Sequence, residues 1–419
     1  MKIGFVSLGC SKNLVDTEMM IGYYQEKGHE IVANPIDAEM IVINTCGFIE
    51  SAKKEAIDTI LEMADYKEKG KCQKLIVTGC LVERYFDDLK KELPEVDLFI
   101  PIKDYDRIFD ILDYHKRVIS TGKNYAYLRI ADGCSNHCTY CAIPKIRGPL
   151  VSREFDDILK EAKELAKKGY QELILIAQDT GRYGLDLYGK SRLPELLEEL
   201  CKLDFHWIRF LYTYPEMISD ELIQVVKNHP KICHYFDIPI QHISDSVLKR
   251  MGRIGGSQTI KNVIHKIRKE IPDSMIRTSL IVGFPGESEE DFQMLSDFVE
   301  EVKWNRLGVF EYSKEDGTPA EKLDGHLPKQ IKKKRHDIIM KKQQKISKEN
   351  NLNLVGKTLE CVIDAITEDG KYYITRSYMD VPEEDGFVFV AIEHEHFIGE
   401  YIQVQIVEAR EYDVLGIEI

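Results

Sequence analysis

Three times in its first eighty residues this chain carries an apolar, strand-like run that ends on a turn holding a cysteine. The runs span residues 3–8, 40–44 and 75–78, and the turns are Gly9-Cys10, Thr45-Cys46-Gly47 and Gly79-Cys80. The stretches between them, 16–27 and 51–66, are helix-like. Short apolar runs alternating with helices predict a parallel α/β sheet. In such a sheet, ligand sites form outside the carboxyl ends of the strands. Strand polarity therefore puts Cys10, Cys46 and Cys80 on one edge, where they can converge. Taken singly, each would pass for a small buried hydrophobe.

Two further segments follow. Strand-like runs recur at 125–130, 172–177, 207–212, 236–240, 277–282 and 306–312, separated by helical patterns such as 155–168, 193–202 and 289–302. About six βα units predict a full or partial (β/α) barrel of TIM type, with its chemistry at the C-terminal rim of the strands. The Lys-rich stretch 329–350 reads as a helix, either a solvated connector or one packed on the barrel. Short alternating runs at 358–363, 372–376, 386–390 and 401–407 predict a small antiparallel β-barrel. The predicted domains are 1–122, 123–350 and 354–419.

The densest chemical signal is Cys134-Ser135-Asn136-His137-Cys138-Thr139-Tyr140-Cys141. Three thiolates in eight residues can hold three irons of a [4Fe–4S] cluster and leave the fourth open for a substrate or cofactor. A structural zinc site would call for four closed ligands, often as two C-x-x-C pairs, and no second pair follows. The chain is also long enough for several cores, with 43% hydrophobic and 31% charged residues. It shows no apolar run of about 18 residues that would predict a membrane span. The N-terminus has no small-residue cleavage site, so no signal peptide is expected. The default compartment is then the reducing cytoplasm. There the ten cysteines read as metal ligands, reactive thiols or core residues rather than disulfides.

This cysteine segment resembles the radical S-adenosylmethionine (SAM) superfamily. That resemblance implies a cluster on Cys134, Cys138 and Cys141 whose open iron chelates SAM and generates a radical by reductive cleavage. It places Tyr140 near the adenine, Gln178 and Asp179 near the amino end of SAM, and Gly283, in Ile281-Val282-Gly283-Phe284-Pro285-Gly286, at a strand that meets the adenine. Together with Ser7-Leu8-Gly9-Cys10-Ser11-Lys12-Asn13 and Asn44-Thr45-Cys46, the whole chain resembles the methylthiotransferase family, whose C-terminal β domain is called TRAM. The family implies a second [4Fe–4S] cluster on Cys10, Cys46 and Cys80, which holds the sulfur that a second SAM methylates. It also implies an electron donor such as flavodoxin or ferredoxin. Cys72, Cys201, Cys233 and Cys361 have no partner pattern and are expected to be bystanders.

Charge points to the substrate. The net charge is −14. Residues 354–419 hold 15 acidic and 4 basic residues, an excess of 11 negative charges. An acidic surface repels phosphate backbones and suits a basic partner, although it also serves solubility. Ala142-Ile143-Pro144-Lys145-Ile146-Arg147-Gly148, Ala177-Gln178-Asp179-Thr180 and Arg376-Ser377-Tyr378-Met379-Asp380-Val381-Pro382 resemble the branch that methylthiolates the β-carbon of an aspartate in the twelfth protein of the small ribosomal subunit. The rivals are a tRNA adenosine methylthiotransferase, disfavoured by charge, and a non-catalytic Fe–S protein that binds the ribosome. Arg147 and Arg153 read either as SAM or substrate contacts or as surface pairs. Asp179 and Asp186 read as pocket residues or helix caps.

Overall fold

In a computed structural model, which describes residues 1–109 and 114–419, the three cysteine-tipped runs are adjacent strands of one sheet. The strands are β1 (Lys2–Ser7), β2 (Glu30–Val32), β3 (Met40–Thr45), β4 (Lys74–Gly79) and β5 (Leu98–Ile100), in the parallel order β2-β1-β3-β4-β5. β3 is central and buried along its whole length, as a strand covered on both faces must be. The helix after β1 runs from Ser11 to Glu26 and so begins five residues before the predicted start. Cys10 takes the extended N-cap position (φ −89°, ψ 168°). The first turns bury Lys12, Asn13 and Asp16, so the apolar periodicity that marks a helix is missing there.

The middle of the chain builds six parallel strands: β6 (Tyr125–Arg129), then, after a short hairpin of β7 (Ala131–Asp132) and β8 (Val151–Ser152), β9 (Glu172–Ile176), β10 (Trp207–Phe210), β11 (Tyr235–Asp237), β12 (Met275–Val282) and β13 (Arg306–Glu311). They pair as β6-β9-β10 and β11-β12-β13. An isolated bridge between Ile208 and Ile232 joins the two sheets. Among the described residues β6 and β13 do not pair, so the barrel is partial. Its helices bury one apolar face each, for example Ile158, Ala162 and Leu165 of Phe155–Lys167, spaced as a helix stripe requires. The Lys-rich helix Lys329–Leu352 packs on the barrel: Ile339 and Ile346 join its core, Gln343 donates to the Trp304 carbonyl at 3.0 Å, and Arg335 pairs with Glu287 at 2.7 Å.

The C-terminal strands β14 (Thr358–Ile366), β15 (Tyr372–Ser377), β16 (Val388–Ala391), β17 (Tyr401–Ala409) and β18 (Val414–Glu418) close a barrel in the order β14-β15-β16-β18-β17. All its pairs are antiparallel except β16–β18, which is parallel. β18 escapes sequence reading because it is short and broken by Gly416. This barrel sits against the amino-terminal ends of the central strands. At the contact Glu172 lies between Arg376 and Arg209, with Arg209 at 2.8 Å, and all three side chains are buried. Arg306 also pairs with Asp380 at 2.5 Å, and Tyr235 donates to Asp385 at 2.6 Å.

Burial alone would raise the Glu172 carboxyl, but the two guanidiniums hold it below its ordinary value. Its stabilisation is therefore complete above the ordinary carboxylate range and is lost as pH falls through the folded value. Replacing Glu172 with Ala leaves Arg209 without a carboxylate and Arg376 with Asp364 alone, at 2.7 Å, which costs about 3–5 kcal/mol. Thermal melting of Glu172→Ala is expected to show an earlier transition for the C-terminal barrel, with faster proteolysis between helix Lys329–Leu352 and β14. The difference from wild type should shrink toward acid pH.

Candidate active site

Cys10, Cys46 and Cys80 directly follow β1, β3 and β4, three neighbours in the sheet, so they share its carboxyl edge as strand polarity predicts. Gly9 (φ +87°) lies against Cys46, and a Cβ on Gly9 would come within 3.0 Å of the Cys46 Sγ. Gly79 adopts φ +99°, where a side chain would strike the Thr45 carbonyl. Only glycine fits such a turn without strain. Cys10 caps one helix and Cys80 opens another, Cys80–Glu92. The positive helix ends favour anionic sulfur there.

Asn13 ties the three turns together. Its amide donates to the Leu8 carbonyl at 2.9 Å and the Thr45 carbonyl at 3.1 Å, the residues before the Gly9-Cys10 turn and before Cys46. Its carbonyl oxygen accepts from the Cys80 thiol at 3.5 Å. The Asn44 side chain fixes Asn13 in turn, donating to its backbone carbonyl at 2.8 Å.

The second cysteine loop lies between β7 and β8, at the barrel's C-terminal rim. The Asn136 N–H points at Cys134 Sγ and the Ile143 N–H at Cys141 Sγ, both at 3.4 Å; Cys138 Sγ and the Tyr214 hydroxyl are 3.3 Å apart. Thr139 anchors the loop to the barrel through the backbone carbonyls of Met251 and Arg250. Tyr140 packs edge-on against Phe284, ring centroids 6.4 Å apart. Gln178 donates to Asp132 at 2.9 Å. Asp179 accepts from Asn136 at 3.0 Å and from Arg182 at 3.1 Å, and burial pushes its carboxyl up to about 6. Gly283 (φ +71°) stands at the end of β12, and Lys332 fills the space its side chain would take.

Among the described residues, no three Cys, His, Asp or Glu side chains close on a single metal ion. A [4Fe–4S] cluster binds each thiolate on a separate iron, so its ligands need not meet at a point. The donors suit such a group. Burial pushes the Cys80 and Cys141 thiols up to about 12, against Arg147 at Cys80 and a backbone N–H at Cys141, and the other cysteines of each set raise them further. Such thiols are inert as free nucleophiles and ionise only against strong positive charge. Backbone N–H and phenol donors aimed at sulfur are the contacts that tune cluster potentials.

Arg147 joins the two sites. It ends the helix Ile143–Arg147, which starts two residues after Cys141. One guanidinium nitrogen donates to Asn13 at 2.8 Å and to Asp16 at 2.6 Å, and lies 4.0 Å from Cys80 Sγ; the other donates to Asp132 at 3.1 Å. Its side chain is 2% exposed, so the surface-pair reading is corrected. The reason is that its partners come from the N-terminal sheet domain, 131 and 134 residues away in sequence. Arg153 is likewise buried, between Glu161 and Asp157. Asp186 accepts from the Ser152 N–H at 2.8 Å and so fixes the hairpin behind the loop. The residues that sequence reasoning missed are Asn13, Asp16, Tyr212 and Tyr214. Only Asn13 left a signal, as part of the Gly9-to-Asn13 motif.

A partial (β/α) barrel with a three-cysteine rim loop, fused to a sheet domain and a small β-barrel, defines a radical SAM enzyme. The matching family models are the Radical SAM superfamily over residues 128–299, the uncharacterized protein family UPF0004 over 2–101 and the TRAM domain over 355–419. The ribosomal protein uS12 methylthiotransferase RimO of Alkaliphilus oremlandii is 57% identical, covering 99% of this chain and 98% of that protein; RimO of Clostridioides difficile is 50% identical at the same coverage. This chain belongs to the RimO family. Among solved structures, the radical SAM methyltransferase TsrM from Kitasatospora setae shares the fold at a TM-score of 0.55 and 10% identity, over 74% of this chain and 72% of that one. The cobalamin-dependent radical SAM enzyme OxsB does so at 0.51 and 11%, over 81% and 56%. No helix among the described residues is long and apolar enough to cross a membrane.

Arg147→Met leaves Asp16 and Asn13 short of a buried donor, a loss of about 3–5 kcal/mol at the domain contact. Hydrogen exchange is expected to show reduced protection in helix Ser11–Glu26. Arg147→Lys should fall between Met and wild type, because it keeps the charge and loses the fork.

Proposed function

We propose that this chain transfers a methylthio group to the β-carbon of an aspartate in ribosomal protein uS12, using one SAM for the radical and one as methyl donor. The observation that carries this reading is that two three-cysteine sites, on the rims of two domains, are joined through Arg147. Cys134, Cys138 and Cys141 would hold the cluster that binds SAM, with Tyr140, Gln178, Asp179 and Gly283 around the nucleoside and amino ends. Cys10, Cys46 and Cys80 would hold the second. We assign these sites to units spanning 1–122 and 123–350, with 354–419 as the third. When bound, the clusters and SAM supply the one-electron chemistry and the sulfur that is transferred.

The protein's own residues supply position and dryness. Asn13 and Arg147 fix the two cysteine sets relative to each other, so a substrate carbon held between them meets both without diffusing. Cys80, Cys134 and Cys138 are buried while Cys10 is open to solvent, so docked substrate would complete the exclusion of water from a reactive carbon centre. The TRAM domain keeps Glu368, Asp369, Glu393, Glu395 and Glu408 exposed, a surface that suits a basic ribosomal protein and repels nucleic acid. An iron–sulfur or flavin protein, such as ferredoxin or flavodoxin, would deliver the electrons.

Anaerobic reconstitution tests the ligand assignment. Iron content is expected at about eight per chain, falling to about four in a Cys10/Cys46/Cys80→Ala variant. Mass spectrometry of recombinant uS12 incubated with the enzyme and a reductant should show the methylthio adduct on one aspartate with wild type and none with that variant. Four irons in both proteins, or an adduct on tRNA instead, would overturn the assignment.

A further inference from the structure

Lys12 is 92% buried in the rim, on 8% residue exposure, and has no anionic partner among the described residues. Its ammonium stands 3.6 Å above the Tyr212 ring. Among the described residues it forms no ion pair and meets no hydrogen-bond acceptor. An ammonium taken from water is costly unless it is paired, and one cation–π contact offsets only part of that. The nearby carboxylates are committed elsewhere: Asp237, Glu384 and Asp385 all face Arg277, with Glu384 at 2.5 Å.

The place of this ammonium is informative. Lys12 follows Cys10 by two residues on the N-terminal sheet's rim. Tyr212 follows β10 on the barrel's rim, and two residues on Tyr214 reaches Cys138. The segment from Leu211 to Tyr214 thus touches both cysteine sites, and Lys12 points at its middle. Tyr212 holds φ +59°, a conformation that a bulky residue adopts only when its surroundings enforce it. Asp237 enforces it here by accepting from the Tyr212 N–H at 3.0 Å, while the Tyr212 hydroxyl donates to Glu384 at 3.3 Å. The ring that carries the ammonium is therefore held at its backbone and at its hydroxyl.

We infer that Lys12 binds the side-chain carboxylate of the substrate aspartate and so sets its β-carbon between the two cysteine sites. This rests on the proposed reaction. A carboxylate one bond from the reacting carbon needs a cation within the shared cavity. Arg147 and Arg277 are each already paired with carboxylates; Arg253 stacks on Tyr214 at 3.9 Å on the Cys138 side and donates to the Pro239 carbonyl, so Lys12 is the unpaired cation beside the N-terminal cysteine site. The contact would discriminate aspartate from asparagine at the modified position, since an amide leaves the ammonium buried and unpaired.

The test uses full-length, anaerobically reconstituted enzyme with uS12 and with uS12 carrying Asp→Asn at the modified position. Wild type is expected to prefer the aspartate form by about 10²-fold or more in kcat/KM. Lys12→Gln is expected to lower kcat/KM for the aspartate form by about 30-fold or more, through KM first, and to shrink the aspartate-to-asparagine preference to within a few-fold. Lys12→Arg should restore part of both. Iron content and SAM affinity by calorimetry are read on every variant. A preference unchanged in Lys12→Gln overturns the inference. So does loss of iron in both variants, which would make Lys12 a support of the cysteine site, and so does weakened SAM binding, which would assign the ammonium to the carboxylate of SAM. Absence of any adduct with wild type would instead refute the proposed reaction itself.

Discussion

The guanidinium of Arg147 is the interaction on which the site depends. A buried cation is tolerated only when its donors are satisfied. Arg147 achieves this by borrowing acceptors from two domains, Asn13 and Asp16 on one side and Asp132 on the other. Burial alone would raise the Asp132 carboxyl, but Arg147 and Arg129 hold it down at about 2. Asp16 also pairs with Arg129. The planar fork matters, because several donors in fixed directions determine orientation as well as attraction. The helix that carries Arg147 begins two residues beyond Cys141, so the loop that forms one cysteine site runs straight into the strut that braces the other.

That strut would be of little use on a soft frame, and the rim around it is stiff. Gly9 and Gly79 turn where other residues would be strained, letting strands β1 and β4 deliver their cysteines close to Cys46. Tyr212 and Gln241 hold left-handed backbone just past β10 and β11. Non-glycine residues in that region cluster at functional sites because the surrounding structure must over-determine them. Here the determinants are visible: the Tyr212 N–H is taken by Asp237, and Gln241 exchanges backbone hydrogen bonds with Ser279 and Ile281.

Much of this was legible in the sequence, for identifiable reasons. Convergence of Cys10, Cys46 and Cys80 followed from strand polarity, a local property. The six central strands and the helices Phe155–Lys167 and Glu289–Val302 followed from apolar periodicity. The contacts that join the two cysteine sites did not follow: Arg147 reaches Asn13 and Asp16 across 134 and 131 positions, and such pairs leave no periodic trace. Arg147 looked like a loop arginine because nothing in its own segment needs it. Lys12 and Asp16 occupy buried positions of a helix whose first turns have no apolar stripe, and that same feature hid the start of the helix. The packing of Lys329–Leu352 was equally undecidable, since its buried face mixes Arg335, Gln343, Ser347 and Asn351 with two isoleucines.

The acidic C-terminal domain has a double role that composition could not separate. Asp380, Glu384 and Asp385 face Arg306, Arg277 and Tyr235 of the central barrel, and Glu383 accepts from Tyr125. These contacts lie at the strands' amino-terminal ends, opposite the cysteine rim, so the domain seals the floor of a barrel that its own six strands leave open. Glu384 reaches far enough to accept from Tyr212, the ring beneath Lys12. The motif from Arg376 to Gly386 is thereby explained in large part by contacts within the chain. Its acidity is then poor grounds for choosing a substrate, and the argument for a basic partner rests on the carboxylates that remain exposed on the outer face. The same loop ties the third domain to the rim: loosening it would free Tyr212 to leave its left-handed conformation and withdraw the ring on which the Lys12 ammonium rests.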